Sequence, residues 1–287
     1  MKKHCPNPAC QSHQFIKDGT YQRSSDHRVI QRFRCQSCSR RFSNASFDLA
    51  CHQNKRTLNH TIFKLLSSSV SMRRIAKILL IDKKTVQRKV EFLNQKALLK
   101  QKQLLAHTTV THLQFDDLIT LEHTKLKPVS ISLAVDVNTR LILGAQSSQI
   151  PAFGHLAQLS RQKYGSRISG HKQGLKQLFE SIQGCVDSHA RVDSDEHNLY
   201  PEVVRSYLPQ AQHYRFKGGR ACVVGQGELK KLRRDPLFCI NHTCGMLRDN
   251  LKRLARKTWC TTKKIEMLQK HLNIYIWYHN YEILNKT

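Results

Sequence analysis

Two acidic clusters lie where a carboxylate is costly to leave alone. Asp116 and Asp117 stand in Leu113-Gln114-Phe115-Asp116-Asp117-Leu118-Ile119, and Asp193 and Asp195 in Val192-Asp193-Ser194-Asp195-Glu196-His197, each cluster directly after an apolar, strand-forming position. Such a carboxylate is unfavourable to bury unless it is paired or faces a cation. Two of them sharing a divalent ion with oxygen ligands, Mg2+ or Mn2+, is the arrangement that phosphoryl transfer uses. Taken singly, each acid reads as a turn or strand-end residue, so the combination carries the expectation. Asp136, in Ala134-Val135-Asp136-Val137-Asn138-Thr139, reads as a turn residue between two strands and is left outside the site.

A second chemistry is written in the cysteines. Cys5 and Cys10 are followed by the knuckle Cys35-Gln36-Ser37-Cys38 after an Arg-rich, hairpin-like stretch from Tyr21 to Arg34. Four thiolates from two short loops close a tetrahedral Zn2+ shell, and residues 1–45 have too little aliphatic content to fold without one. A closed shell leaves no open coordination position, so this zinc is a scaffold. His13, Cys51 and His52 are rival ligands, because the first pair is wider than the usual two-residue spacing. Cys51, Cys185, Cys222, Cys239, Cys244 and Cys260 are scattered singly and otherwise read as core.

The acids need a sheet to hold them. After Thr108 the sequence gives β-like runs at His112–Thr120, Val129–Val137 and Leu141–Gln146, then a helix at His171–Ile182, a short strand at Ala190–Asp195, a helix at Tyr200–Leu208 and a strand at Gln212–Phe216. Phe238–Lys257 and Lys264–Tyr281 read as closing helices, and Lys217–Arg234 as a Gly-rich basic loop without a phosphate-loop pattern. In a βββαβ order of the ribonuclease-H kind the first and fourth strands are neighbours, which would bring the two acidic clusters together. The aromatic stripe Ile274 to Tyr278 reads as core.

Residues 55–105 lack Gly and Pro and repeat apolar residues at helical spacing. Within them, Ser71 to Arg88 resembles a helix-turn-helix: Ser71 caps a first helix, Ile75, Ala76 and Leu79 pack inward, Ile81 plugs the turn, and Asp82 caps a second helix held by Val86 and Val90. Lys83, Lys84, Gln87 and Arg88 then stand on the outer face of that second helix, suited to phosphates and base edges in a major groove. Lys252, Arg253, Arg256, Lys257, Lys263 and Lys264 add a second basic cluster.

The whole chain carries 48 Lys plus Arg against 20 Asp plus Glu over 287 residues, a formal +28. Folding does not require that surplus, and a polyanion is the obvious partner. With 39% hydrophobic residues in periodic stretches, a histone-like tail is excluded, and the longest apolar run, around Ile78 to Ile81, excludes a membrane span. Met1-Lys2-Lys3-His4-Cys5-Pro6 lacks a signal-peptide pattern, so a reducing, cytoplasmic setting is expected.

These motifs, in this order, resemble a bacterial insertion-sequence transposase with an acidic-triad core, closest to the families around insertion sequence one and their zinc-ribbon relatives. Cys35 to Ser43 resembles the family's knuckle, Phe115-Asp116-Asp117 its first acidic motif, Asp195 to Pro201 its second, and Asn241-His242-Thr243 through Leu251-Lys252-Arg253-Leu254-Ala255-Arg256-Lys257-Thr258 its third. The resemblance implies an α/β chain in three parts: a zinc ribbon at 1–45, a helix-turn-helix DNA-binding domain at 55–105, and a ribonuclease-H-like catalytic domain with closing helices at 108–287. It implies Asp116 and Asp195 as ligands of a catalytic Mg2+ or Mn2+, with Asp117 and Asp193 as the next to test. It puts Asn241 where the family carries Glu, read as a carbonyl-oxygen ligand, and Arg248 near the scissile phosphate. Should Asn241 not serve, Glu228, Asp235 or Asp249 are alternative oxygens, and His242 a metal or DNA contact. DNA contacts fall to Lys83, Lys84, Gln87, Arg88, Lys252 and Arg256. The implied function is transposition: binding terminal inverted repeats, metal-dependent cleavage, and strand transfer to target DNA by a nucleoid-associated homo-oligomer. A catalytically inactive, transposase-derived DNA-binding protein is the alternative.

Overall fold

The computed structural model describes residues 4–24, 26–51, 53–217, 235–255 and 258–284. The chain divides into two compact units, Met1–Phe63 and Lys64–Thr287. In the first, β1 (Phe15–Gln22), β2 (Val29–Cys35) and β3 (Arg41–Ser43) form an antiparallel sheet in that order. The strands begin earlier than the expected hairpin, because Phe15 is needed inside: its ring meets Phe33 at 5.4 Å and Phe42 at 5.6 Å between centroids. These rings and the cysteines form the cluster that holds the strands, and Ala50, Ile62 and Phe63 are buried besides.

Helix α1 spans Leu58–Leu66. In the second unit, α2 (Met72–Ile78) and α3 (Lys83–Leu105) follow the sequence signals closely. Ser71 accepts a hydrogen bond from the Arg74 N–H and Asp82 from the Lys84 N–H, so both helices begin at side-chain caps. Ile75, Val86 and Val90 are fully buried, while Leu79 and Ile81 are half-buried. Leu80 turns the chain with φ 50°, a left-handed conformation occupied here by a side chain that is 89% exposed. Helix α3 continues well past the turn and packs on α8 (Ile265–Tyr278), through Lys270 to Glu91 at 2.6 Å and Asn273 to Asn94 at 2.8 Å.

A five-stranded mixed sheet forms the centre of this unit, in the order β6-β5-β4-β7-β8. Strands β4 (Val110–Glu122), β5 (Thr124–Asp136) and β6 (Ile142–Gln149) pair antiparallel, whereas β7 (Val186–Asp195) runs parallel to β4 and β8 (Gln212–Phe216) parallel to β7. The first and fourth strands are therefore adjacent. Alternation along β4 sends Phe115 into the core that β-sheet residues share with α5 (His171–Ile182) and α6 (Tyr200–Tyr207). Leu118 goes to the opposite core, against α7 (Phe238–Asn250) and α8.

Two local departures from expectation have physical causes. A helix α4 (Leu156–Tyr164) lies where none was anticipated; it is short, largely polar, and buries only Ser160, so periodicity gives little sign of it. Helix α7 stops at Asn250 instead of reaching Lys257. The Ser69 N–H donates to the Asn250 carbonyl at 2.7 Å, taking the acceptor that the next helical turn would use, and Leu251 leaves the helix fully buried. The stripe on α8 is core as expected, with Ile274, Tyr275 and Ile276 buried. Among the described residues no helix is long and apolar enough to cross a membrane.

Candidate active site and metal centre

The β4–β7 ladder aligns Gln114 with Asp193. Two residues further along each strand stand Asp116 and Asp195, on the same face of the sheet and the same level. Their mutual field is felt: burial, helped by the carboxylates of Asp195 and Asp117, pushes Asp116 up to about 7, against an Asp117 N–H that donates to its Oδ1 at 2.7 Å. The Asp195 side chain accepts from the His197 N–H at 2.9 Å, which fixes the bend after β7.

Helix α7 lies across this face and is pinned there by Gln114. Its amide donates to the Pro236 carbonyl at 2.8 Å and its Oε1 accepts from the Ile240 N–H at 3.2 Å. One turn along, Cys244 is buried close enough to Asp116 for that carboxylate to help raise its thiol to about 12, burial being the larger cause and Arg248 opposing it. Asn241, Cys244 and Arg248 follow at helical spacing and so share one side of α7, on which Cys244 lies in the field of Asp116 and of Arg248. Asn241 is exposed, and its Nδ2 donates to Asp235 Oδ2 at 2.9 Å, leaving its carbonyl oxygen as an acceptor. Asp235, named among the alternatives, is thus the partner of Asn241. Asp249 lies in the field of Tyr275 on α8, and Glu228 falls outside the described residues. His242 is engaged elsewhere, its Nδ1 accepting from Arg140 Nη2 at 2.8 Å.

Asp117 and Asp193 prove to be structural anchors. Asp117, on the opposite face, accepts from Ser130 Oγ at 2.8 Å, Ser132 Oγ at 2.6 Å, Tyr200 OH at 2.8 Å and His171 Nε2 at 2.5 Å. Burial raises its pKa, but these donors and the His171 charge outweigh it and hold the carboxyl below its ordinary value. Asp193 is buried against His112 Nε2 at 2.7 Å and Arg191 Nε at 2.8 Å. Both spend their oxygens on neighbouring side chains, Asp117 on four donors and Asp193 on His112 and Arg191. Asp136 caps its own turn, accepting from the N–H groups of Asn138 and Thr139 at 3.2 Å.

Two carboxylates of like charge, Asp116 with its proton affinity raised by burial and by its neighbours, are the donor chemistry that a hard divalent cation takes. Among the described residues no third His, Cys, Asp or Glu joins them, and the only such convergent group is Cys5, Cys10, Cys35 and Cys38. Ionising Asp116 at a value near 7 instead of 3.8 weakens the fold as pH rises from about 4 to about 7, and the whole penalty is present above that range. Asp116→Asn should therefore melt a few degrees higher than wild type at pH 8 without metal, and no differently near pH 3. Added Mg2+ should raise the wild-type melting temperature only. A variant that melts lower at pH 8 would rule out the repulsive pair.

The cysteine cluster is built from two knuckles. Cys35 N–H donates to the Arg40 carbonyl at 3.0 Å, and Cys5 N–H to the Ser12 carbonyl at 2.8 Å. Cys5 Sγ lies 3.5 Å from Cys38 Sγ, Cys10 Sγ lies 3.7 Å from Cys35 Sγ, and all four sulfurs are within 4.8 Å of one another. Tetrahedral zinc with Zn–S bonds of about 2.3 Å needs sulfurs roughly 3.8 Å apart. The Cys38 N–H, with that of Ser37, holds the Cys35 thiol down at about 6, whereas burial pushes Cys5 up to about 12. The rivals His13 and Cys51 are not in the cluster, and His52 falls outside the described residues.

Lys83, Lys84, Gln87 and Arg88 are exposed on the first turns of α3, and Lys252 is exposed after α7; Arg256 falls outside the described residues. Sequence reasoning missed the residues that cage Asp117, namely Ser130, Ser132, His171 and Tyr200. Cys244 is core, as read, and its thiol also lies in the field of Asp116, which the sequence does not announce. No protein-family model matches the chain, and no curated protein matches it.

Proposed function

We propose that the chain is a metal-dependent DNA transposase with a ribonuclease-H-like core. The observation that carries this reading is the level pairing of Asp116 and Asp195 on adjacent parallel strands, in a sheet of order β6-β5-β4-β7-β8 with α7 laid across their face. Three antiparallel strands followed by two parallel ones, joined through helices, is the topology that the ribonuclease-H-like reading requires.

In this reading Asp116 and Asp195 hold the catalytic Mg2+ or Mn2+, and the Asn241 carbonyl oxygen completes the protein's share of the shell. The bound ions supply a polarised water or 3′-hydroxyl and neutralise the leaving oxygen. Asp235 holds the Asn241 amide so that its oxygen, and not its nitrogen, is presented. Arg248 faces the scissile phosphate. Lys83, Lys84, Gln87 and Arg88 read the element's terminal inverted repeats, Lys252 contacts the DNA backbone, and the four-cysteine unit is a zinc ribbon. Two ends must be held at once, so the working form is a homo-oligomer.

Asn241 in place of an acid favours a second reading, a DNA-binding protein derived from a transposase that no longer cuts. Incubating the full chain with DNA carrying the element's own ends and Mg2+ or Mn2+ separates the two. Nicked and joined products from wild type, lost in Asn241→Ala, support the active enzyme with Asn as third ligand. Cleavage retained in Asn241→Ala moves the third ligand elsewhere. Binding of the ends without cleavage in either metal makes the second reading the better one.

A further inference from the structure

Away from the acidic pair, cations from three segments converge on one cleft of about 380 Å³. Arg73 of α2, Lys83 of α3, and Lys252, Arg253, Lys263 and Lys264 between α7 and α8 line it, and no Asp or Glu does. Like charges so close repel one another unless an anion lies among them. Arg253 makes the need sharper. It is half-buried, burial pulls its guanidinium below the ordinary value, and among the described residues no carboxylate pairs with it. A second depression continues past Arg74 and Lys77 and shares the same wall, Trp259.

Trp259 is the second signal. The residue is 101% exposed, whereas the chain three residues on is tied to the end of β4. Thr262 is fully buried and bridges to Glu122, the His123 N–H donates to the Thr262 carbonyl at 2.9 Å, and His123 Nε2 reaches the Lys263 carbonyl at 3.1 Å. An indole held out over a cationic cleft presents a π-face, which the face of a nucleobase matches. Inside a duplex both faces of each base are covered by neighbouring pairs, so an unpaired base is the better match.

We propose that this cleft holds an unpaired nucleotide of a DNA strand, its phosphate among Arg253 and the neighbouring lysines and its base stacked on Trp259. The choice of DNA over RNA rests on the proposed function; the cleft and the stack do not.

The probe is a fluorescently labelled six-nucleotide oligothymidylate, its binding to the full chain read by anisotropy with a blunt duplex measured in parallel. Trp259→Ala should weaken the single strand by about 5- to 100-fold. The same variant should leave the duplex within about two-fold, and Trp259→Phe should recover most of the loss. Because Trp259 touches solvent all round, melting of the variants should match wild type. Equal single-strand binding by wild type and Trp259→Ala overturns the proposal, as does an equal loss on single strand and duplex. Running the cleavage assay on end-bearing DNA beside it, with wild type and Trp259→Ala, keeps the two readings apart. Trp259-dependent binding without cleavage by wild type sinks the transposase and keeps the cleft, and cleavage without Trp259 dependence does the reverse.

Discussion

If the chain cuts DNA as proposed, replacing Asp195 or Asp116 with Ala should abolish strand cleavage, by about a thousand-fold or more, while end binding stays within a few-fold of wild type. The magnitude follows from the charge that a metal ion carries in phosphoryl transfer, worth several kcal/mol, with each 1.4 kcal/mol a factor of ten in rate. In the proposed shell each carboxylate would supply a share that the single amide oxygen of Asn241 could not replace. The binding half follows from placement: the exposed cations of α3 lie on another element from β4 and β7. Asp117→Ala is the informative contrast. It strips the acceptor from four donors at once, so it lowers the melting temperature where the other two variants do not. Cleavage and joining on end-bearing DNA, beside melting curves for all three variants, read both halves. Full cleavage in Asp116→Ala and Asp195→Ala would remove the acidic pair from the chemistry.

What the sequence made legible was local. Asp116 and Asp195 stand out because each follows apolar strand residues, and the adjacency of their strands follows from element order. Ser71 and Asp82 announce α2 and α3 because an N-cap is a property of three or four neighbouring residues. What stayed hidden was non-local. The cage around Asp117 draws Ser130 and Ser132 from β5, His171 from α5 and Tyr200 from α6, the last 83 positions away. Only the β4–β5 register and the packing of two helices bring them together, so no spacing rule reaches them. The adjacent Asp116 and Asp117 look alike in sequence, yet alternation sends one to α7 and the other to this cage. The end of α7 is set by Ser69, which takes the Asn250 carbonyl across nearly the length of the unit.

Chelating zinc from the full chain, or substituting Cys35→Ser with Cys38→Ser, should unfold β1 to β3 and leave the sheet of Lys64–Thr287 standing. The first unit has two antiparallel strand pairs and one small cluster of Phe15, Phe33 and Phe42 against the cysteines. A core of that size supplies only a few kcal/mol, less than the ordering of some forty residues requires. A four-thiolate zinc supplies on the order of 10 kcal/mol or more, and it can bind tightly only once both knuckles are formed, so its loss takes the fold with it. The second unit owes nothing to those sulfurs, since its two cores are built on β4 to β8 and their helices. Amide hydrogen exchange on the metal-stripped protein distinguishes the units directly. Protection should vanish along β1 to β3 and persist on β4, β5 and β7, and readding zinc should restore it to wild type and not to the double variant. Protection of β2 that survives both chelation and the double substitution would mean that the aromatic cluster suffices and that the four sulfurs are free thiols.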